Sequence, residues 1–130
     1  MTRLALCLAL ALCAAGCSGT REVDRNGCAM PKGYKPATRR ANDGYDYYRV
    51  RIDETGGISW NGMSIDRRML RNYATQYSAM PEAGRLSLQV HDKAPCEAVL
   101  FARKALVDAQ LCAQGRCAEA DWALSDSVVY

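Results

Sequence analysis

Hydrophobic and polar positions change period several times along the second half of the chain. Tyr48, Val50 and Ile52 alternate with Tyr47, Arg49, Arg51 and Asp53, the period-two pattern of a half-buried strand. Asp53-Glu54-Thr55-Gly56-Gly57 is turn material, and Ile58 and Trp60 alternate with Ser59 and Asn61. This predicts a hairpin whose short return strand ends at Asn61-Gly62. The period then becomes helical: Ile65, Met69, Leu70, Tyr73, Tyr77 and Met80 fall on one face. Ser64 is the expected N-cap, Asp66 complements the helix dipole, and Pro81 stops the helix. Leu86, Leu88 and Val90 alternate with Ser87, Gln89 and His91, giving a third half-buried strand. Asp92 is the expected cap of a second helix, with Pro95 in its first turn. Ala98, Val99, Ala102, Ala105, Leu106 and Ala109 form a small-residue face, widened by Leu100 and Phe101, that suits close packing on a sheet. Finally Ala118, Ala120, Trp122 and Leu124 alternate with Glu119, Asp121, Ala123 and Ser125, predicting a closing strand.

The predicted order is therefore ββαβα with a closing β. This is an α+β two-layer sandwich over residues 45–130, one small sheet covered by two helices. The preceding stretch, residues 17–44, carries Gly27, Pro31, Gly33 and Pro36 and few large apolar side chains. It reads as a polar tether, basic in its later half through Lys32, Lys35, Arg39 and Arg40.

Residues 1–16 are of another kind. Arg3 precedes an unbroken apolar run from Leu4 to Ala15, the layout of a secretory signal. Twelve residues make a helix of about 18 Å, too short for a hydrocarbon core of about 30 Å. Ala14-Ala15-Gly16-Cys17 resembles the lipobox of bacterial lipoproteins, which implies cleavage before Cys17 and acylation of its thiol and new amine. Leu is commoner than Ala in the slot of residue 14, so a simple cleaved signal is the alternative. Ser18, in place of the Asp that retains such proteins, implies sorting to the outer membrane, facing the periplasm. Two or more acyl chains give stable anchoring where one does not.

Seven Cys are then accounted for: Cys7 and Cys13 leave with the signal, Cys17 takes the lipid, and Cys28, Cys96, Cys112 and Cys117 remain. An even number in an oxidising compartment predicts two disulfides. A helix from Pro95 to about Leu111 separates Cys96 from Cys112 by about 24 Å, against about 7 Å at most between bridged Cα atoms. That pairing is excluded. Cys112–Cys117 would close a tight turn and Cys28–Cys96 would pin the tether to the helix start; the remaining option, with Cys117 reaching Cys96, is disfavoured by the short turn. Disulfide stabilisation suits a domain of this size, which buries roughly 60–65% of its chain surface.

The rest of the composition mainly excludes. A net charge of +3 from 17 basic and 14 acidic residues is too mild and too evenly spread to favour nucleic acid as a partner. With no C-x-x-C pair and His91 as the sole histidine, metal is not expected, and no cofactor motif is present. Asp53, Glu54 and Asp92 end strands or cap helices, and there is no nucleophile elbow or phosphate-cradling loop. The chain reads as non-enzymatic. Candidate contact residues are the basic pairs Arg39-Arg40 and Arg67-Arg68, with Tyr47 and Trp60.

Across residues 48–111 the phrases Val50-Arg51-Ile52-Asp53, Gly57-Ile58-Ser59-Trp60-Asn61-Gly62, Ser64-Ile65-Asp66 and Val90-His91-Asp92 with Pro95 resemble the periplasmic domain of the ExbD/TolR biopolymer-transport family. The resemblance implies a ββαβαβ domain that often pairs as a homodimer and works on peptidoglycan or an energy-transducing partner protein. The proton-coupling membrane helix of that family has no counterpart, because Leu4–Ala15 is short and contains no acid. The expected function is therefore a lipid-anchored envelope binding module that contacts a protein or peptidoglycan, accessory to biopolymer transport. A structural lipoprotein of an envelope or secretion complex and a small secreted enzyme are the alternatives.

Overall fold

The computed structural model describes residues 24, 27–39, 47–80 and 82–122. At its centre two parallel strands, β2 (Tyr47–Ile52) and β5 (Arg85–Val90), pair along their full lengths, from Tyr47 opposite Arg85 to Ile52 opposite Val90. β2 continues into the predicted hairpin with β3 (Ile58–Trp60), antiparallel, Val50 opposite Trp60. Beyond β3 lies β4 (Met63–Ile65), and on the other side β6 (Cys117–Asp121) pairs parallel with β5. A two-residue strand, β1 (Ala37–Thr38), is parallel to β6 and completes the six-stranded order β1-β6-β5-β2-β3-β4. Helices α1 (Arg67–Ser78) and α2 (Cys96–Asp108) cover one face. The fold is mixed α+β, and its order, ββββαβαβ, adds β1 and β4 to the expected ββαβα(β).

Each departure has a local cause. Asn61-Gly62 does not end the sheet. Both residues have positive φ (46° and 85°), the geometry of a two-residue hairpin turn whose twist matches its strands, and the chain returns as β4. Ser64 is therefore a strand residue. Asp66 is the cap, its Oδ1 accepting the Met69 N–H at 2.7 Å. At α2 the cap position is Pro95, in extended conformation with no side-chain cap, so Asp92 does not serve there. β5 was expected to be half-buried, but Leu86 to Val90 are all buried. As an inner strand between β6 and β2, it shields Ser87 and Gln89 as well as the leucines. Ser87 Oγ and both polar atoms of the Gln89 amide have no hydrogen-bond partner.

Val50, Ile52, Leu86 and Leu88 from the sheet meet Leu70, Ala74, Val99, Ala102 and Leu106 from the helices in one core. Alanines at 98, 102 and 105 let α2 approach closely, as its small-residue face predicts.

The stretch expected to be a solvated tether is packed over residues 27–39. Cys28 and Tyr34 are buried, and Cys28 is bridged to Cys96. The cause is Arg103. It follows Val99 by four and precedes Leu106 by three, so the helix carries it into the apolar face, where it is wholly buried. Its Nη2 donates to Asp24 Oδ2 (2.5 Å) and Glu119 Oε1 (2.6 Å), its Nε to Glu119 Oε2 (3.2 Å), and its Nη1 to the Ala29 carbonyl (3.1 Å). Tyr34 Oη donates to Glu119 Oε2 at 2.5 Å. Burial pulls the guanidinium's affinity for its proton down, but the hydrogen bonds and charge of Glu119, then Asp24, outweigh this and hold it above its ordinary value. Burial, then Glu119, raises Tyr34 well above the usual phenol range. Glu119, placed by strand parity among the solvent-facing residues, is thus the acid that completes a buried ion cluster. Breaking a buried pair by removing one partner is costly: Arg103→Met is expected to lower unfolding free energy by about 3–5 kcal/mol in urea titration, and a loss near zero would show that the cluster contributes nothing net.

The second disulfide, Cys112–Cys117, closes the connection from α2 to β6. The two bridges span 68 and 5 residues. Loop-closure entropy assigns them about 4 and about 2 kcal/mol. Replacing Cys28 and Cys96 by Ala should therefore cost roughly twice what replacing Cys112 and Cys117 costs, read as the two losses of unfolding free energy in urea titration, each with its own fitted m-value.

Candidate functional site

Where β3 and β4 leave α1, four aromatic rings meet. Trp60 stands edge-on to Tyr73 (5.4 Å between centroids) and Tyr77 (6.0 Å), and Tyr48 leans on Tyr77 (4.9 Å) and Trp60 (6.3 Å). These separations suit the tilted and edge-to-face pairings that aromatic quadrupoles favour. The placement follows from three local patterns. Tyr48 and Trp60 share the helix-facing side of β2 and β3, Met63 is brought alongside by the Asn61-Gly62 turn, and Tyr73, Tyr77 and Met80 recur at helical spacing along α1 and its C-terminal end. Together with Gln76 they line a shallow groove of about 260 Å³. Tyr77 is fully buried at its floor.

Its rim is the unusual part. Among the described residues the exposed large hydrophobics are Tyr48 (44%), Met63 (52%) and Met80 (48%), and all three line this groove. Scattered exposed apolar residues need no explanation, whereas a cluster of them marks a contact surface.

A second, smaller concavity of about 190 Å³ lies against Arg51, Asp53, Ser59, Ser64 and Trp122. The Arg51 guanidinium stacks 3.8 Å over Trp122, and His91 meets the same ring edge-on at 5.2 Å. Asp53 is engaged in its own turn. It accepts from Thr55 N–H (2.9 Å), Thr55 Oγ1 (2.7 Å) and Gly57 N–H (2.7 Å), and a Cβ at Gly57 would meet Asp53 Oδ2 at 2.5 Å. No group of three or more metal-ligating side chains occurs among the described residues.

The sequence-predicted contact residues do not converge. Trp60 is at the groove. Arg68 is exposed on α1, on the turn beside Met69. Arg67 pairs with Glu97 across the helices and lies over Phe101, so it is a helix–helix tie. Arg39 continues from β1, its N–H bonding the Glu119 carbonyl. Tyr47 opens β2, with its side chain outside the described residues; Cys17 and Arg40 also lie outside them. Tyr48 and Tyr73 follow core-facing periodicities in the sequence, and Met63 falls between the predicted return strand and helix. The signal for Met63 was in plain view: Asn-Gly between Ile58-Ser59-Trp60 and Met63-Ser64-Ile65 is a hairpin signature. No protein-family model, curated protein or solved structure matches this chain.

The hydrogen bonds from Thr55, then Gly57, hold the Asp53 carboxyl below its ordinary value of 3.8. A carboxyl whose folded-state value is depressed stabilises the fold above its unfolded value, and this contribution is lost as pH falls through the lower, folded one. The stability gap between the parent chain and Asp53→Asn should therefore be full above pH 3.8 and close as acid is added below it. Urea titration across that range checks this, and a gap independent of pH would contradict the turn role.

Proposed function

We propose that this protein is a non-catalytic, lipid-anchored docking module of the bacterial envelope that captures a partner protein through the Tyr48–Met63–Met80 groove. The observation that carries the reading is that, among the described residues, the exposed large hydrophobics all line one aromatic-floored groove. Aromatic and methionine side chains are enriched at protein interfaces, where rigid rings add contact area at low entropic cost and methionine adapts to the partner's shape. An apolar rim favours a polypeptide over a cell-wall glycan.

The anchored arm enters at β1, one edge of the sheet, and the groove borders β4, the other. Five strand spacings put these edges about 24 Å apart. Cys17 precedes Asp24 by seven residues, a leash of at most about 25 Å. The phrases that resemble the ExbD/TolR family lie in β2, the β3 hairpin, the start of α1 and the β5–α2 junction, and biopolymer transport is the context the resemblance suggests for the partner.

A photo-crosslinking residue at position 63, in cells, should form a discrete adduct with one envelope protein. The same residue at Lys104, exposed on α2, should not, and Met80→Asp should abolish the adduct at 63. Crosslinks to peptidoglycan alone would replace the protein partner by the polymer. Equal labelling from both positions would overturn the groove as the docking surface.

A further inference from the structure

The groove has an open strand beside it. Among the described residues β4 is the last strand of the sheet on that side, hydrogen-bonded to β3 alone. In a two-residue hairpin the pair that closes the turn, here Trp60 and Met63, exchanges both hydrogen bonds. The next pair, Ser59 and Ser64, does not, so the backbone N–H and C=O of Ser64 face away from β3. Proline, lysine or a bulge would blunt such an edge as a template for an added strand, and the three residues Met63-Ser64-Ile65 contain none of these. The opposite edge strand, β1, follows Pro36.

α1, which forms one wall of the groove, contains Arg67, Arg68 and Arg71 and no Asp or Glu; Arg67 is paired with Glu97 and Arg71 lies over Phe101, while Arg49 and Arg51 of β2 lie by strand parity on the opposite face of the sheet. Asp66, between β4 and α1, is engaged as the helix cap. Arg68 is exposed in the first turn of α1. At the other end the Arg116 guanidinium lies 5.0 Å from the Tyr77 ring, held by the Tyr77 carbonyl at 3.2 Å.

Resting on the docking reading above, we infer that the occupant is an extended, acidic polypeptide segment that adds as a strand along β4 and places alternate apolar side chains in the groove. Backbone hydrogen bonds to Ser64 give register and affinity. Every second side chain of an added strand points to the helix side, where Trp60, Met63 and Met80 receive it, and Arg116 beside Tyr77 with the exposed Arg68 of α1 selects acids by long-range attraction.

The test uses the full chain with both disulfides formed and two short synthetic peptides. One alternates glutamate with valine, phenylalanine and leucine, and the other has lysine for each glutamate. In amide-detected NMR titration the glutamate peptide should shift the indole N–H of Trp60 but not that of Trp122. It should slow hydrogen exchange at the Ser64 amide and bind about tenfold tighter than the lysine peptide. Arg68→Glu should weaken it by about fivefold. Ser64→Pro, which removes the outward N–H, should weaken it by about tenfold; if that variant does not fold, the Ser64 exchange rate in the parent chain decides the point. Equal binding of the two peptides, or a Trp60 shift without protection of Ser64, overturns the inference. So does a titration in which only a soluble muropeptide moves Trp60. If neither peptide shifts Trp60 while the crosslink at position 63 persists, strand addition is wrong and the docking surface stands; loss of both removes the docking reading as well.

Discussion

A positive charge with no exposure to solvent organises this molecule. Arg103 lies within the apolar face of α2, and an unpaired ion there would be intolerable. Its neutralisation needs Asp24 from the N-terminal arm and Glu119 from β6, and its remaining donors take the carbonyls of Cys28 and Ala29. The arm is thereby drawn across the helix, and Cys28–Cys96 makes the closure covalent. One consequence is that a chain with a modest core gains a charged clasp and a long-range crosslink at the same place. Another is directional: the clasp commits the β1 edge to the arm, and among the described residues β4 is the other edge of the sheet.

The layers then divide the work. β2 and β5, paired residue for residue, form a rigid spine that carries the hairpin of β3 and β4 outward to meet α1. The groove between them is floored by rings locked against one another, with Tyr77 buried beneath. Preorganised aromatic surface of this kind loses little entropy when a partner arrives. The second face of the sheet is built otherwise. The Ser87 hydroxyl and the Gln89 amide are buried there without hydrogen-bond partners, in the register that also holds Arg51 and its stacked Trp122.

Much of this was legible in the residues. Period-two and helical patterns located the central strands and both helices, because those signals report burial on one face, and geometric exclusion over the length of α2 favoured the cysteine pairs that the structure contains. The failures have physical reasons. Ser64 looked like a cap because serine caps helices well, but Asn61-Gly62 turned the chain first and Asp66 took the role. Glu119 looked solvent-facing because strand parity carries no information about a buried cation on a distant helix. The arm looked like a tether because it lacks apolar bulk, and it is fixed by a disulfide, one tyrosine and one ion cluster. Of the groove, Trp60 alone had been singled out as a contact residue. Exposure of Tyr48, Met63 and Met80 depends on where the sheet ends, which no local pattern encodes.

The account stands on a chain that is exported and locked by its two disulfides before it meets any partner. The most direct measurement is thiol trapping in living cells with a mass-adding maleimide, read on the denatured protein with and without prior reduction. The account predicts no label at Cys28, Cys96, Cys112 or Cys117 until reductant is added, and label at all four afterwards. Labelling of those cysteines without reductant would place the chain in a reducing compartment and contradict the account.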